Sequence, residues 1–172
     1  MTAVRNREAP ARIVMNRRTA WLLALMLGLA GCAKDPPPPT IVNVSLSAAQ
    51  TANATADGAG APVLVRIYQL GSKVAFDQGE FFRIYKDDAA ALGPDLVKKD
   101  QLMLRPGASE TLPLKPAEAV HAIGVFAAYR DFQNVTWRAS AAVPTSQTTN
   151  ITVTVGRQGI KLDSTPGKPA GS

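Results

Sequence analysis

Apolar and polar positions alternate with a period of two through most of the chain. Val42, Val44 and Leu46 are separated by Asn43, Ser45 and Ser47, the pattern of a strand with one buried face. Val63, Val65 and Ile67 repeat it, with Leu64, Tyr68 and Leu70 partly apolar on the second face. Trp137, Ala139, Ala141 and Val143 alternate again, and Ile151, Val153 and Val155 alternate with Thr152 and Thr154. Val120 to Tyr129 is almost wholly apolar or small, which suits a central strand covered on both faces. Leu102 and Leu104 stand opposite Leu112 and Leu114 across Pro106-Gly107. Proline fixes the first turn angle and glycine accepts a positive φ, so this spacing predicts a hairpin. Gly156 to Gly159 reads as a turn into a short strand from Ile160 to Leu162.

One stretch breaks the period. Asp77 lies three residues before Glu80, an aspartate variant of the capping box, and Phe81, Ile84 and Tyr85 then share one helical face. Asp88 is placed to cap a second short helix from Ala89 to Leu92, stopped by Gly93-Pro94. Seven to eight short strands with a small helical insertion make the fold mainly β, a β-sandwich. Ala49 to Ala61 belongs to neither pattern. It holds Ala, Gln, Thr, Asn, Asp and Gly with no large apolar side chain, so it is expected to supply no core. Its length is that of a functional or disordered loop.

The ends divide the chain further. Arg17 and Arg18 precede an uncharged run from Thr19 to Gly31 that is rich in leucine and alanine. That is the order of a signal peptide, and the run is shorter than the roughly 20 apolar residues a membrane-spanning helix needs. Translation starts at Met1 or at Met15. The run ends in Leu29-Ala30-Gly31-Cys32, which resembles a bacterial lipobox. Cleavage before Cys32 and acylation of its thiol are then expected, with two or three acyl chains giving a stable anchor at roughly 0.8 kcal/mol per buried methylene. Residues 1–31 read as a lipoprotein signal and 32–39 as the lipidated cysteine with a stiff polyproline spacer, Pro36 to Pro39. Residues 40–163 read as the sandwich. Residues 164–172, mostly Pro, Gly, Ser and Lys, read as a disordered tail.

This division changes the charge. The full chain carries +6, but five of its 19 basic and one of its 13 acidic residues lie in residues 1–32. The remainder has 14 and 12, a net +2, and no basic stripe that would serve nucleic acid. Cys32 is the single cysteine, which leaves no intramolecular disulfide and no cysteine metal cluster. His121 is the single histidine and lies in an apolar strand, so it reads as structural. Asp87-Asp88 reads as helix capping rather than a carboxylate pair. Arg130, Asp131 and Arg138 read as ion-pairing groups around a loop, and Trp137, Phe81, Phe82 and Tyr85 as packing groups. No serine stands in a nucleophile elbow. Catalysis, cofactor, metal and small-molecule substrate are therefore not expected, and a binding or structural role is.

The order of motifs is more specific than any one of them. Behind the lipobox come a polar strand, a long loop, Pro62-Val63-Leu64-Val65-Arg66-Ile67-Tyr68-Gln69-Leu70, and Phe76 to Tyr85 with Glu80-Phe81-Phe82. Leu92-Gly93-Pro94-Asp95-Leu96, Arg105-Pro106-Gly107, Ala128-Tyr129-Arg130-Asp131 and Trp137-Arg138 follow. Over residues 40–162 this resembles the TssJ family, outer-membrane lipoproteins of the bacterial type VI secretion system. The resemblance implies a transthyretin-like β-sandwich. It implies an outer-membrane location, which Ala33 after the cysteine also favours. It implies a tether that binds the periplasmic C-terminal region of TssM, and it places much of that contact on the loop between the first two strands. Here those positions are Gln50, Thr51, Asn53, Thr55, Asp57, Gly58 and Gly60. The alternative is a lipid-anchored, transthyretin-like carrier of a small apolar ligand, which needs an apolar cavity between the sheets.

Overall fold

The computed structural model describes residues 37–168. Cys32, the signal segment and the last four residues lie outside that range. Eight strands are present: β1 Ile41–Ala48, β2 Val63–Leu70, β3 Leu96–Leu104, β4 Ser109–Leu114, β5 Ala122–Ala127, β6 Arg138–Ala142, β7 Thr148–Gly156 and β8 Gly159–Pro166. They form two four-stranded sheets, ordered β4-β1-β7-β8 and β3-β2-β5-β6. All ladders are antiparallel except β1 with β7.

The period-two rows build the core between these sheets. Val42, Val44 and Leu46 of β1 and Ile151, Val153 and Val155 of β7 face Val63, Val65 and Ile67 of β2 and Ile123 and Val125 of β5. Every residue of β5 is buried because its second face is covered too. Phe126 and Ala122, with Tyr68 and Leu70 of β2, pack under Phe76, Phe81, Ile84 and Leu92 of the helical insertion. That insertion is α1 Val74–Gln78, α2 Phe81–Lys86 and α3 Asp88–Leu92, followed by a 3-10 turn at Gly93–Asp95. Phe81 is its keystone. Its ring stacks on Phe132 at 4.2 Å and meets Trp137 edge-on at 5.2 Å.

Several local expectations change. Pro106-Gly107 makes the expected turn, with Gly107 at φ 75° and Ala108 N–H donating to Arg105 C=O. It does not make a hairpin. Leu104 pairs with Val63 in one sheet, while Leu114 pairs with Val42 in the other. The leucines of the two strands meet across the core rather than across a ladder, because β1 and β2 each need a neighbour and the chain steps between sheets to supply both. Asp77 is not an N-cap. It lies inside α1, and its carboxylate accepts from Lys73 Nζ and Ser140 Oγ, each at 2.7 Å.

The cap of α3 is Asp87, whose Oδ1 accepts from Ala90 N–H at 3.0 Å. Asp88 is instead buried and receives Lys99 Nζ at 2.8 Å, Tyr68 OH at 3.0 Å and Arg66 Nη1 at 3.2 Å. Burial alone raises its carboxyl pKa, but these hydrogen bonds and the Lys99 and Arg66 charges outweigh it and leave the group below its ordinary range. Burial pushes the Tyr68 hydroxyl well above its usual value. Arg138 makes no ion pair among the described residues. It donates to the carbonyls of Phe76 and Gly79 and lies 4.5 Å over the Trp137 ring. His121 is exposed; among the described residues only its backbone is engaged, with N–H donating to Leu70 C=O and C=O accepting from Val143 N–H. Finally, β8 runs to Pro166, past the expected boundary at 163. Thr165 pairs with Asn150, so the ladder along β7 orders polar residues that have no apolar pattern of their own.

Candidate functional site

The chain alternates direction at every strand, so its connections sort to two ends. Pro37 to Thr40 lead into β1 at one pole, where β8 also ends: Ile41 pairs with Thr148 and Pro166 with Thr149. The opposite pole carries four connections, namely Ala49 to Pro62, Arg105 to Ala108, Ala128 to Trp137, and the Arg157-Gln158 turn. Eight residues of β1 separate the poles, about 26 Å at roughly 3.3 Å per residue.

The first connection is ordered by its own hydrogen bonds. Ala52 N–H donates to Ala49 C=O at 3.0 Å, Ala61 N–H to Ala52 C=O at 2.9 Å, Thr55 N–H to Ala59 C=O at 2.8 Å and Gly58 N–H to Thr55 C=O at 2.9 Å. It also does what its composition argued against. Ala52 is 0% exposed and belongs to the core, because a methyl group is small enough to plug the end of the sandwich. Asn53 is 5% exposed. Its Nδ2 donates to Pro62 C=O and its Oδ1 accepts from Arg130 N–H, both at 2.9 Å, and it sits at φ 48°. Asn53 therefore pins the loop and is not a surface group.

The other expected contact residues divide. Thr51 and Asp57 are exposed, while Thr55, Gly58 and Gly60 are half-buried. The Thr55 hydroxyl lies against the Asp57 carboxylate and the Ala59 carbonyl, and that bond from Thr55 holds the Asp57 carboxyl below its ordinary range. Gly60 allows a close approach: a Cβ there would stand 2.0 Å from Gln50 C=O. Gln50 has an exposed residue surface, but its amide is laid over Gly107. The loop thus presents Thr51 and the turn from Ala56 to Ala59, and Cys32 lies outside the described residues.

Neighbouring connections complete the pole. A cleft of about 340 Å³ separates Asn53 to Ala56 from Tyr129, Asp131, Val135 and Arg157. Tyr129 OH donates to Gly156 C=O at 3.0 Å, tying the β5–β6 connection to the end of β7, and burial raises its pKa. Thr136 N–H donates to Gln158 C=O at 3.2 Å. Asp131 accepts from Asn134 and forms no ion pair with Arg130 or Arg138 among the described residues. Tyr129 and Asp131 stand in a motif of the sequence but were not linked to this loop, and Val135 and Arg157 carried no signal, although strict up-and-down alternation would have brought all four to the loop's end. Five clefts among the described residues open at the two poles and beside the helices. The carrier alternative looked for one between the sheets, where the inward side chains pack against one another. No group of three or more His, Cys, Asp or Glu among the described residues is placed to hold a metal, and no helix there is long and apolar enough to cross a membrane.

Residues 40–158 match the family described as type VI secretion lipoprotein (VasD, EvfM, TssJ). The chain belongs to the TssJ family. The T6SS lipoprotein TssJ1 from Pseudomonas aeruginosa is 35% identical with a TM-score of 0.73, over 76% of this chain and all of that one. Serratia marcescens Lip, described as a membrane-bound component of the type VI secretion system, is 26% identical with a TM-score of 0.68, over 73% of this chain and 98% of Lip. A chain in a structure described as the T6SS protein TssM C-terminal domain from EAEC is 25% identical with a TM-score of 0.58, over 71% of this chain and 99% of that one. No curated protein matches the chain. The mainly β, two-sheet fold matches TssJ structures, and this chain carries a small helical insertion.

Proposed function

We propose that this TssJ-family lipoprotein is held at the periplasmic face of the outer membrane by acyl chains on Cys32. Through its loop pole it binds the periplasmic C-terminal region of TssM, so that it ties the type VI membrane complex to that membrane. The observation that carries this reading is the polarity of the domain. Pro37 to Thr40, on the Cys32 side of the domain in sequence, lead into β1 at one pole, and the long ordered loop, Ala49 to Ala61, stands at the other. A tether loaded between a bilayer and a protein partner needs its two attachments at opposite ends. Similarity to TssJ1 and Lip supports the lipoprotein role, and similarity to the chain in the TssM structure is consistent with the partner.

The test is binding of the acylated mature protein, in detergent, to a purified TssM periplasmic fragment. Removing Ala54 to Gly60 and closing the gap spares Ala52 and Asn53. That deletion should weaken binding at least tenfold and leave the unfolding transition in place. Tight binding by the shortened protein would assign the contact to another surface. No binding by the unaltered protein would remove the role itself.

A further inference from the structure

The described residues hold six arginines, and their positions are uneven. Arg66 of β2 and Arg138 of β6 are tied down by hydrogen bonds to the helical insertion, and Arg83 lies on α2. The remaining three, Arg105, Arg130 and Arg157, all belong to the loop pole. Each sits on a different segment that borders the β1–β2 loop or the cleft beside it. Pro106 and Gly107, next to Arg105, lie against Gly60 and Gln50. Arg130 donates its backbone N–H to Asn53 Oδ1. Arg157 lines the cleft opposite Asn53 to Ala56.

All three residues are exposed. No hydrogen bond, ion pair or aromatic stack engages any of their side chains among the described residues. The four connections at this pole carry no lysine and two carboxylates, Asp57 and Asp131, and both are already engaged, with Thr55 and Asn134. Arg130 adds only a minor part to the lowering of the Asp57 pKa. The pole therefore presents free guanidinium groups around a polar loop. Guanidinium is weakly hydrated and pairs with carboxylate through two parallel hydrogen bonds, and a cluster of one sign steers encounter with an oppositely charged face.

We infer that the loop pole is an acidic-surface reader. Arg105, Arg130 and Arg157 receive carboxylates on the face of the partner that meets the β1–β2 loop, and they set the rate of encounter. This rests on the TssM-binding reading and adds the chemistry of the partner's face. Rim charges of this kind act mainly on association rather than dissociation.

The experiment measures association and dissociation rates of the acylated mature protein with the TssM periplasmic fragment, from low salt to about 1 M, where charges more than about 3 Å apart are screened. The variants are R105A/R130A/R157A and, as a control at the other pole, K115A/K168A. We expect association of the unaltered protein to slow as salt rises. The triple variant should associate about tenfold more slowly at low salt, dissociate at a similar rate and converge with the unaltered protein at high salt, while the control follows the unaltered protein throughout. Circular dichroism checks that both variants are folded. Association of the triple variant at the unaltered rate at every salt concentration overturns the inference and leaves the tether reading standing. Equal slowing in the control also overturns it, because steering would then follow net charge and not this pole. Absence of any binding by the unaltered protein overturns the tether reading first and this inference with it.

Discussion

Replacing Asn53 by alanine separates a residue that shapes the loop from one that touches a partner. Asn53 is buried, donates to Pro62 C=O and accepts from Arg130 N–H. Alanine loses both bonds and leaves a carbonyl and an N–H without their side-chain partner, at about 1 kcal/mol each when water can partly replace the side chain. It also places a Cβ-bearing residue without a local hydrogen bond at φ 48°, which costs about 1 kcal/mol more. The sum is about 3 kcal/mol. At about 4 °C per kcal/mol for a domain of this size, the midpoint of thermal unfolding should fall by about 10 °C. Asn53→Gly loses the same bonds but tolerates the backbone angle, so it should recover about a third of the loss. Urea titrations of the mature protein give the stabilities. Hydrogen exchange at Ala61 N–H, which is bonded to Ala52 C=O, reports loosening of the loop, and partner binding should weaken in step with it. An Asn53→Ala protein of unchanged stability and unchanged exchange that no longer binds would refute the pin and make Asn53 a contact residue.

Two further perturbations test how the helical insertion is held. Asp88→Asn removes the charge that Lys99, Tyr68 and Arg66 converge on and should cost about 3 kcal/mol, since breaking a buried pair leaves an uncompensated charge; urea titration measures it. Because the folded Asp88 pKa is depressed, its contribution is fully present above the ordinary carboxylate value of about 3.9 and is lost as pH falls through the folded value. Asp88→Asn should therefore flatten the acid side of the stability profile, and an unchanged acid limb would contradict this. Phe81→Ala removes the ring that joins Phe132, Phe126 and Trp137 and should cost about 4 kcal/mol, with loss of near-ultraviolet ellipticity from Trp137.

Period-two alternation made the sandwich legible, because each face of a strand meets one environment along its whole length. It identified the inward rows of β1, β2 and β7 residue by residue, and the unbroken apolar run marked β5 as covered on both sides. Connection geometry was not legible. Leu102, Leu104, Leu112 and Leu114 carry the same pattern whether their strands share a ladder or face each other from two sheets. Local capping rules misplaced Asp77 and Asp88, because their partners, Ser140, Lys99 and Arg66, are distant in sequence. The loop was recognised by what it lacks. Composition concealed the roles of Ala52 and Asn53, since burial of one methyl group and one amide depends on the space left by other strands. β8 extends beyond its apolar residues because backbone pairing with β7 needs no apolar side chain.

The proposed link has two ends. It is tested most directly in cells whose only copy of this protein is Cys32→Ser, by measuring effector export alongside co-purification with TssM. Export should be lost while the variant remains folded and still co-purifies with TssM, because the loop pole is intact and the membrane attachment is gone. Full export by a soluble, unacylated Cys32→Ser protein would contradict the claim.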